Sequence, residues 1–283
     1  MLLPRLAFAA LLALPLPGLA EISGADVTGE VTVANLASVM HLDALFDVLR
    51  DEGLAYGDTL EAGLLAGGGG PGWKSAVSAI YDVPTLRARF DATFGAALAD
   101  DPQALAEITA FFASDLGQRI VGLEIDARRA FLDVAKEEAA RVAVDTAAAG
   151  RDPKMALIAR MIAAGDLIEM NVAGGLTGNL AFMTGMSETG SYGTALPPDA
   201  LMAEVWAQEE QIRADTTSWL QAYLGLAYFP MTEAELADYV AFWESPAGVH
   251  LNAALFTAFD AAFTQVFHDL GRATGLAMVG RDI

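Results

Sequence analysis

The sequence contains no cysteine, so no disulfide can staple the fold and packing alone must hold it. A chain of this length needs no staple. At about 260 residues a folded protein buries roughly 70 to 75% of the surface its unfolded chain exposes. Bases are scarce: lysine and arginine number 16 against 37 aspartates and glutamates, a formal net charge of −21 at pH 7, with no long basic cluster. Binding a polyanion requires Lys and Arg to displace condensed counterions, so this balance argues against nucleic acid as a partner and against an anionic membrane surface. The three histidines, His41, His250 and His268, are scattered and form no His-Glu-x-x-His pair, so packing rather than zinc ligation is expected of them. No Gly-x-Ser-x-Gly nucleophile elbow occurs, because Gly185 to Gly190 (GMSETG) is one residue too long. No cofactor motif is present.

What the chain does have begins with a leader. Residues 1–20, MLLPRLAFAALLALPLPGLA, carry Arg5, then an apolar run from Leu6 to Leu14, and end in Gly18, Leu19 and Ala20. The run, broken by Pro15 and Pro17, is too short to cross a bilayer, and the small residues suit a signal peptidase, so cleavage is expected after Ala20. With no cysteine to be lipidated, the mature chain is expected to be released into the periplasm or secreted, and loss of Arg5 takes its formal charge from −21 to −22. The body, 54% hydrophobic, reads as folded, with looser ends at about 21–35 and 271–283; residues 21–35 read as an extended segment.

One motif occurs twice. Phe111 to Ile120, FFASDLGQRI, sets Phe, Ser and Gly at the register of Phe242 to Leu251, FWESPAGVHL, and upstream Leu105 and Ile108 pair with Leu236 and Tyr239, all 131 residues apart. A second block pairs LFDVLRDEGL from Leu45 with LIARMIAAGD from Leu157, 112 residues on, with Gly53 opposite Gly165. The two offsets imply about 19 extra residues in the second copy, assigned to the loop Met183 to Pro198. A period of roughly 110 residues is too long for a solenoid and reads as duplication, with one helical repeat at about 36–150 and the other from about 151 to 270 or the chain end. Whether the copies share a core stays open at this point.

Helix signals run through both copies. Leu236, Tyr239, Val240 and Trp243 fall on one helical face, and Thr232 with Glu235 forms a capping box before them. Asp101–Pro102 and Asp152–Pro153 open helices by another route: Asp accepts orphan amide protons, and Pro at the first position sacrifices no hydrogen bond. At the repeated motif, Ser245 is expected to cap a helix beginning with Pro246, while Gly248 gives the clearance for a tight corner. Ser114 and Gly117 are expected to build the same elbow, with Asp115 complementing the helix dipole. Further helices are expected at roughly 36–52, 58–66, 84–99, 116–148, 153–164, 167–184, 199–227 and 247–270. Ala25 to Ala34 alone hints at strand alternation, and one strand builds no sheet.

Leu236, Phe242, Ser245, Pro246, Ala247 and Gly248, after the acidic capped start, resemble the core pattern of the domain of unknown function 2059 family. The resemblance covers about 60 residues per copy and is closer in the second, at about 232–260; Asp115 replaces the family's Pro in the first, and Trp243 its more usual Tyr. It implies a helical fold and a bacterial, exported setting, and it supplies no activity and no catalytic residues.

Candidate chemistry is thin. Ala66 to Ser75, AGGGGPGWKS, misses the phosphate-binding P-loop because Trp73 separates Gly72 from Lys74 and no strand precedes it; it reads as an inter-helix loop. Asp43, Asp47 and Asp51, and Glu209, Glu210 and Asp215, read as solvated acidic faces rather than acid–base pairs, and an EF-hand spacing is missing. Leu167 to Met186 is apolar, but Glu169, Asn171 and Asn179 make it a poor membrane span, so no transmembrane segment is expected in the mature chain. Phe256, Phe259, Phe263 and Phe267 form a stripe. The plainer reading is a core helix between layers; the functional one is an aromatic-lined groove for an apolar ligand or partner helix, with Trp206, Trp219 and Tyr223 lining the same slot. The sequence therefore points to an all-α exported protein of two related bundles, acting as a non-catalytic binding or interaction module. The alternative is a carboxylate-dependent hydrolase of cell-envelope material.

Overall fold

The computed structural model describes residues 31–193 and 197–280, and the leader, its cleavage site and residues 21–30 lie outside the described residues. The described residues form thirteen α-helices and no strand. No helix among them is long and apolar enough to cross a membrane.

The chain begins with α1 (Val33–Val39), opened by a reciprocal capping box between Thr32 and Asn35, so the helix starts inside the stretch read as extended. His41, in the left-handed region at φ 49°, then turns the chain into α2 (Leu42–Leu64). A break near residue 53 was expected and is absent. Gly53 and Gly57 are packing positions inside α2: a Cβ on Gly53 would lie 2.2 Å from the Tyr81 ring and one on Gly57 2.6 Å from Val77. The glycine-rich stretch is also shorter as a loop than expected, because α3 (Gly70–Ile80) takes up its second half. Trp73, buried there, donates its indole proton to the Gly57 carbonyl at 3.1 Å.

After α4 (Val83–Leu98), α5 (Pro102–Ala113) opens on Asp101, which accepts from Ala104 N at 2.9 Å. The expected helix over 116–148 is two helices, α6 (Asp115–Ala130) and α7 (Val134–Ala149), because Asp133 caps a new start by accepting from Ala135 N at 2.9 Å. Asp152 then opens α8 (Pro153–Ala164), and Asp166, at φ 48°, turns the chain into α9 (Leu167–Glu188). The expected helix over 199–227 is likewise divided, into α10 (Pro198–Trp206) and α11 (Glu209–Tyr228). Last come α12 (Glu233–Trp243), with the Thr232–Glu235 capping box, and α13 (Pro246–Met278). The looser end expected from residue 271 is instead helical through Met278, with Gly271 and Ala273 through Gly275 buried.

Two serine corners punctuate this order. Ser114 accepts from Gly117 N at 3.1 Å and donates to the Phe111 carbonyl at 2.6 Å. Ser245 accepts from Gly248 N at 3.1 Å and donates to the Phe242 carbonyl at 2.6 Å. A Cβ would come within 2.2 Å of the Phe111 oxygen at Gly117 and 2.1 Å of the Phe242 oxygen at Gly248, so both corners close against backbone that tolerates hydrogen alone. The corners face each other: the Phe111 and Phe242 rings stack at 3.9 Å with an interplanar angle of 11°.

The pairing of Leu45 with Leu157 does not hold in the structure. Leu45 lies in the helix after a left-handed corner and Leu157 in the helix before one. The corners themselves, His41 and Asp166, are 125 residues apart, as are Gly53 and Gly178. From left-handed to serine corner is 73 residues in the first half (His41 to Ser114) and 79 in the second (Asp166 to Ser245). Polar latches close these two corners, at His41 and Asp166. Gln118 on α6 donates to the Val39 carbonyl at 2.8 Å, and Asn252 on α13 donates to the Gly165 carbonyl at 2.9 Å.

Packing crosses between the halves. The helix after each serine corner packs on a helix of the other half, α13 on α4 and α6 on α11, while α1 lies on α5 and α8 on α12 within their own halves. Buried side chains from Leu36 to Ala273 form one contiguous cluster drawing on both halves. Its centre is aromatic: Phe259 of α13 lies 4.7 Å from Phe90 of α4 and 6.0 Å from Phe46 of α2.

Candidate functional site

The most extensive helix pair in the molecule is α9 with α13, and a cleft opens along it. Towards their C-terminal ends the helices touch backbone to backbone, since a Cβ on Gly271 would lie 1.9 Å from the Phe182 carbonyl oxygen and one on Gly185 2.2 Å from that of His268. Further back the side chains of α9 stay small while those of α13 become large. The resulting cleft, about 320 Å³, is lined by Met170, Ala173, Gly174, Thr177 and Gly178 from α9 and by Phe256, Phe259, Phe263 and Phe267 from α13. The four rings are buried and form the floor, and Ala173, Thr177, Thr257 and Asp260 stand exposed at the rim. This volume is at the small end of the range of ligand sites.

Asp260 is the one carboxylate among the lining residues, and no lysine or arginine accompanies it. It follows Phe256 by one helical turn and precedes Thr264 by another, so a charge stands within an otherwise aromatic and hydroxyl face. Partial burial pushes its carboxyl above the ordinary aspartate range, and a hydrogen bond with Thr264 offsets part of that. The acid clusters in the sequence give no hint of Asp260. Its signal is positional, a lone acid inside the phenylalanine stripe.

The aromatic residues of α10 and α11 do not join the phenylalanines in this slot. Trp206 is 57% exposed on α10. Trp219 and Tyr223 stack on each other at 4.9 Å and meet Phe131 edge-on, turned towards α6. The mismatch follows from the break at Ala207–Gln208, which separates Trp206 from the face carrying the other two.

The other acids do not converge on a reacting centre. Asp43 and Asp91 share a depression between α1, α2 and α4, but Arg87 stands between them, 3.0 Å from Asp43 and 3.1 Å from Asp91. Asp47, Asp51 and Glu210 are exposed, and Glu209 pairs with Arg213 at 3.0 Å. At the P-loop-like stretch the Gly70 amide donates to Glu61 at 3.1 Å, so a carboxylate already holds the position a phosphate would need. Among the described residues no three His, Asp or Glu side chains gather as metal ligands. His41 bonds Gln118 at 2.7 Å, His250 the Ala97 carbonyl at 3.0 Å, and His268 Glu188 at 3.2 Å.

A buried polar cluster escapes the sequence reading altogether. Glu124 of α6, fully buried, accepts from Tyr228 at 2.5 Å and Tyr239 at 2.9 Å through Oε1, while its carbonyl accepts from Tyr223 at 3.0 Å. Burial, then the nearby Glu124 charge, raises the proton affinity of all three phenols. One turn on, Arg128 grips Glu52 of α2 through two bonds, at 2.7 and 2.8 Å. Burial works to discharge Arg128, but the Glu52 charge and hydrogen bond outweigh it and hold the guanidinium protonated. Fully buried, Glu124 ties α6 to α11 and α12.

Residues 85–145, from α4 through most of α7, match the family model described as an uncharacterized protein conserved in bacteria, DUF2059. The match takes in the first serine corner, Glu124 and Arg128. The second corner, whose residue pattern looked closer to the family, lies outside the matched DUF2059 span. No curated protein and no solved structure matches the chain.

Proposed function

We propose that this DUF2059 protein is an exported binding module of two copied six-helix units, and that it holds a small apolar ligand in the cleft between α9 and α13. Export is supported by the leader-like residues 1–20. The two-copy reading is supported by the matched corners: α1 to α6 and α8 to α13 pass a left-handed turn and then a serine elbow in the same order, with α7 between them.

The observation that carries the binding reading is the contrast between corresponding seams. With α2 set on α9 by 125 residues and α6 on α13 by 131, Val48 and Leu49 correspond to Ala173 and Gly174, and Ile125 to Phe256. In the first half Val48 and Ile125 close the seam by packing together, and Glu52 with Arg128 seals its next turn. In the second half, alanine and glycine leave a cleft of about 320 Å³ above the phenylalanine floor. An open apolar floor forfeits dispersion contacts that a bound molecule restores.

The test uses the neutral fluorophore N-phenyl-1-naphthylamine. Its emission is expected to rise with the wild-type protein, and Ala173→Leu with Thr177→Leu, both at exposed rim positions, is expected to abolish most of that rise while leaving the helical circular dichroism unchanged. Equal emission from wild type and the folded double variant would overturn the assignment of the cleft. Native mass spectrometry of protein purified from its own compartment should in addition show a retained small molecule.

A further inference from the structure

We propose that the ligand of this cleft is an organic cation, an ammonium group carried on an apolar, preferably aromatic, body. The inference rests on the binding reading above and deepens it. A purely apolar ligand would be served by a purely apolar stripe, yet the aromatic face of α13 is interrupted by Asp260, a turn from Phe256, Phe263 and Thr264 alike.

Three features of the cleft select a cation. Asp260 has no basic neighbour among the residues lining the cleft, whereas Asp43, Asp91, Glu52, Glu169 and Glu244 are each paired with an arginine. Aromatic rings line the cleft below it, and an aromatic surface attracts a positive charge. The chain as a whole, at −21, repels anions and raises the local concentration of cations at its surface. Partial burial of Asp260 also works against its ionised form, a penalty that an ammonium seated on it would offset. The corresponding position on α6 is Arg129, which lies near Asp126, so the first half lacks the charge on which the second half's selectivity would rest.

Three probes of one shape separate the possibilities: phenethylammonium, 2-phenylethanol and 3-phenylpropionate, each titrated at low ionic strength by displacement of N-phenyl-1-naphthylamine. The ammonium is expected to bind about tenfold more tightly than the alcohol, with the carboxylate weakest, a ratio within reach of one charge-assisted hydrogen bond. Asp260→Asn should lower ammonium affinity to that of the alcohol while leaving alcohol binding within about twofold, and added salt should erode the ammonium preference in wild type alone. Equal binding of ammonium and alcohol by wild type, with the naphthylamine still bound, would overturn the cation assignment and leave the cleft reading intact. Failure of every probe, the naphthylamine included, would overturn both.

Discussion

A single hydrogen atom decides each serine corner. At Gly117 and Gly248 the space for a side chain is already taken by the carbonyl oxygen and Cα of the preceding helix end. Gly248→Ala must move backbone and is expected to lower stability by about 1 to 3 kcal/mol, the usual cost of forcing an extra carbon into a packed site. Ser245→Ala loses the cap and the hydroxyl's bond to the Phe242 carbonyl without moving backbone, and should cost about 1 kcal/mol. Urea midpoints of the two variants, and of the matching pair at Ser114 and Gly117, should fall in that order in both corners. These positions were legible because serine, proline and glycine have few structural uses at such spacing. Glu124 and Asp260 were not. An acid on a helix of a −21 chain resembles every other solvated acid until the tyrosines of α11 and α12, or the rings of α13, are seen around it.

Helix starts written in side-chain caps could be read from the sequence, as at Asp101, Asp152 and Thr232. The misread boundaries share a cause. The turns at His41 and Asp166 use non-glycine residues in the left-handed region, and Ala207–Gln208 carries no breaker, whereas Gly53 and Gly57 look like breaks and are contact points between helices. The aromatic stripe of α13 was legible as a helical face. That a cleft opens beside it depends on the small residues that α9 brings opposite, a property of two helices together. The seam between α2 and α6 has its own test. Arg128→Met would leave Glu52 half-buried and unneutralised, and should cost about 3 to 5 kcal/mol in denaturant titrations. Adding Glu52→Leu should recover most of the loss, because a buried ion pair replaced on both sides by apolar groups is close to neutral.

Across the whole molecule the halves are bound into one core, and its buried phenols set an upper pH limit. Tyr56, Tyr81, Tyr223, Tyr228 and Tyr239 all hold their protons more tightly when folded, first because they are buried. Below about pH 10, the ordinary tyrosine value, both folded and unfolded chains keep these protons and the full stability is present. Above it the unfolded chain releases them first, so stability should fall by about 1.4 kcal/mol per pH unit for each tyrosine. Thermal melts between pH 8 and 11.5 should show the midpoint holding and then dropping. Far-ultraviolet circular dichroism and tryptophan emission should drop together, since Trp73 lies in one half and Trp219 and Trp243 in the other.

The longest helix, α13, is also the last of the described helices to leave the ribosome, and it is the one against which α4 and α9 bury themselves. Without it, Phe46 and Phe90 lose the Phe259 ring that packs on them. Truncating the chain before α13 should therefore remove the face on which α4 and α9 pack, and circular dichroism of such a truncated chain should show most of the helical signal lost.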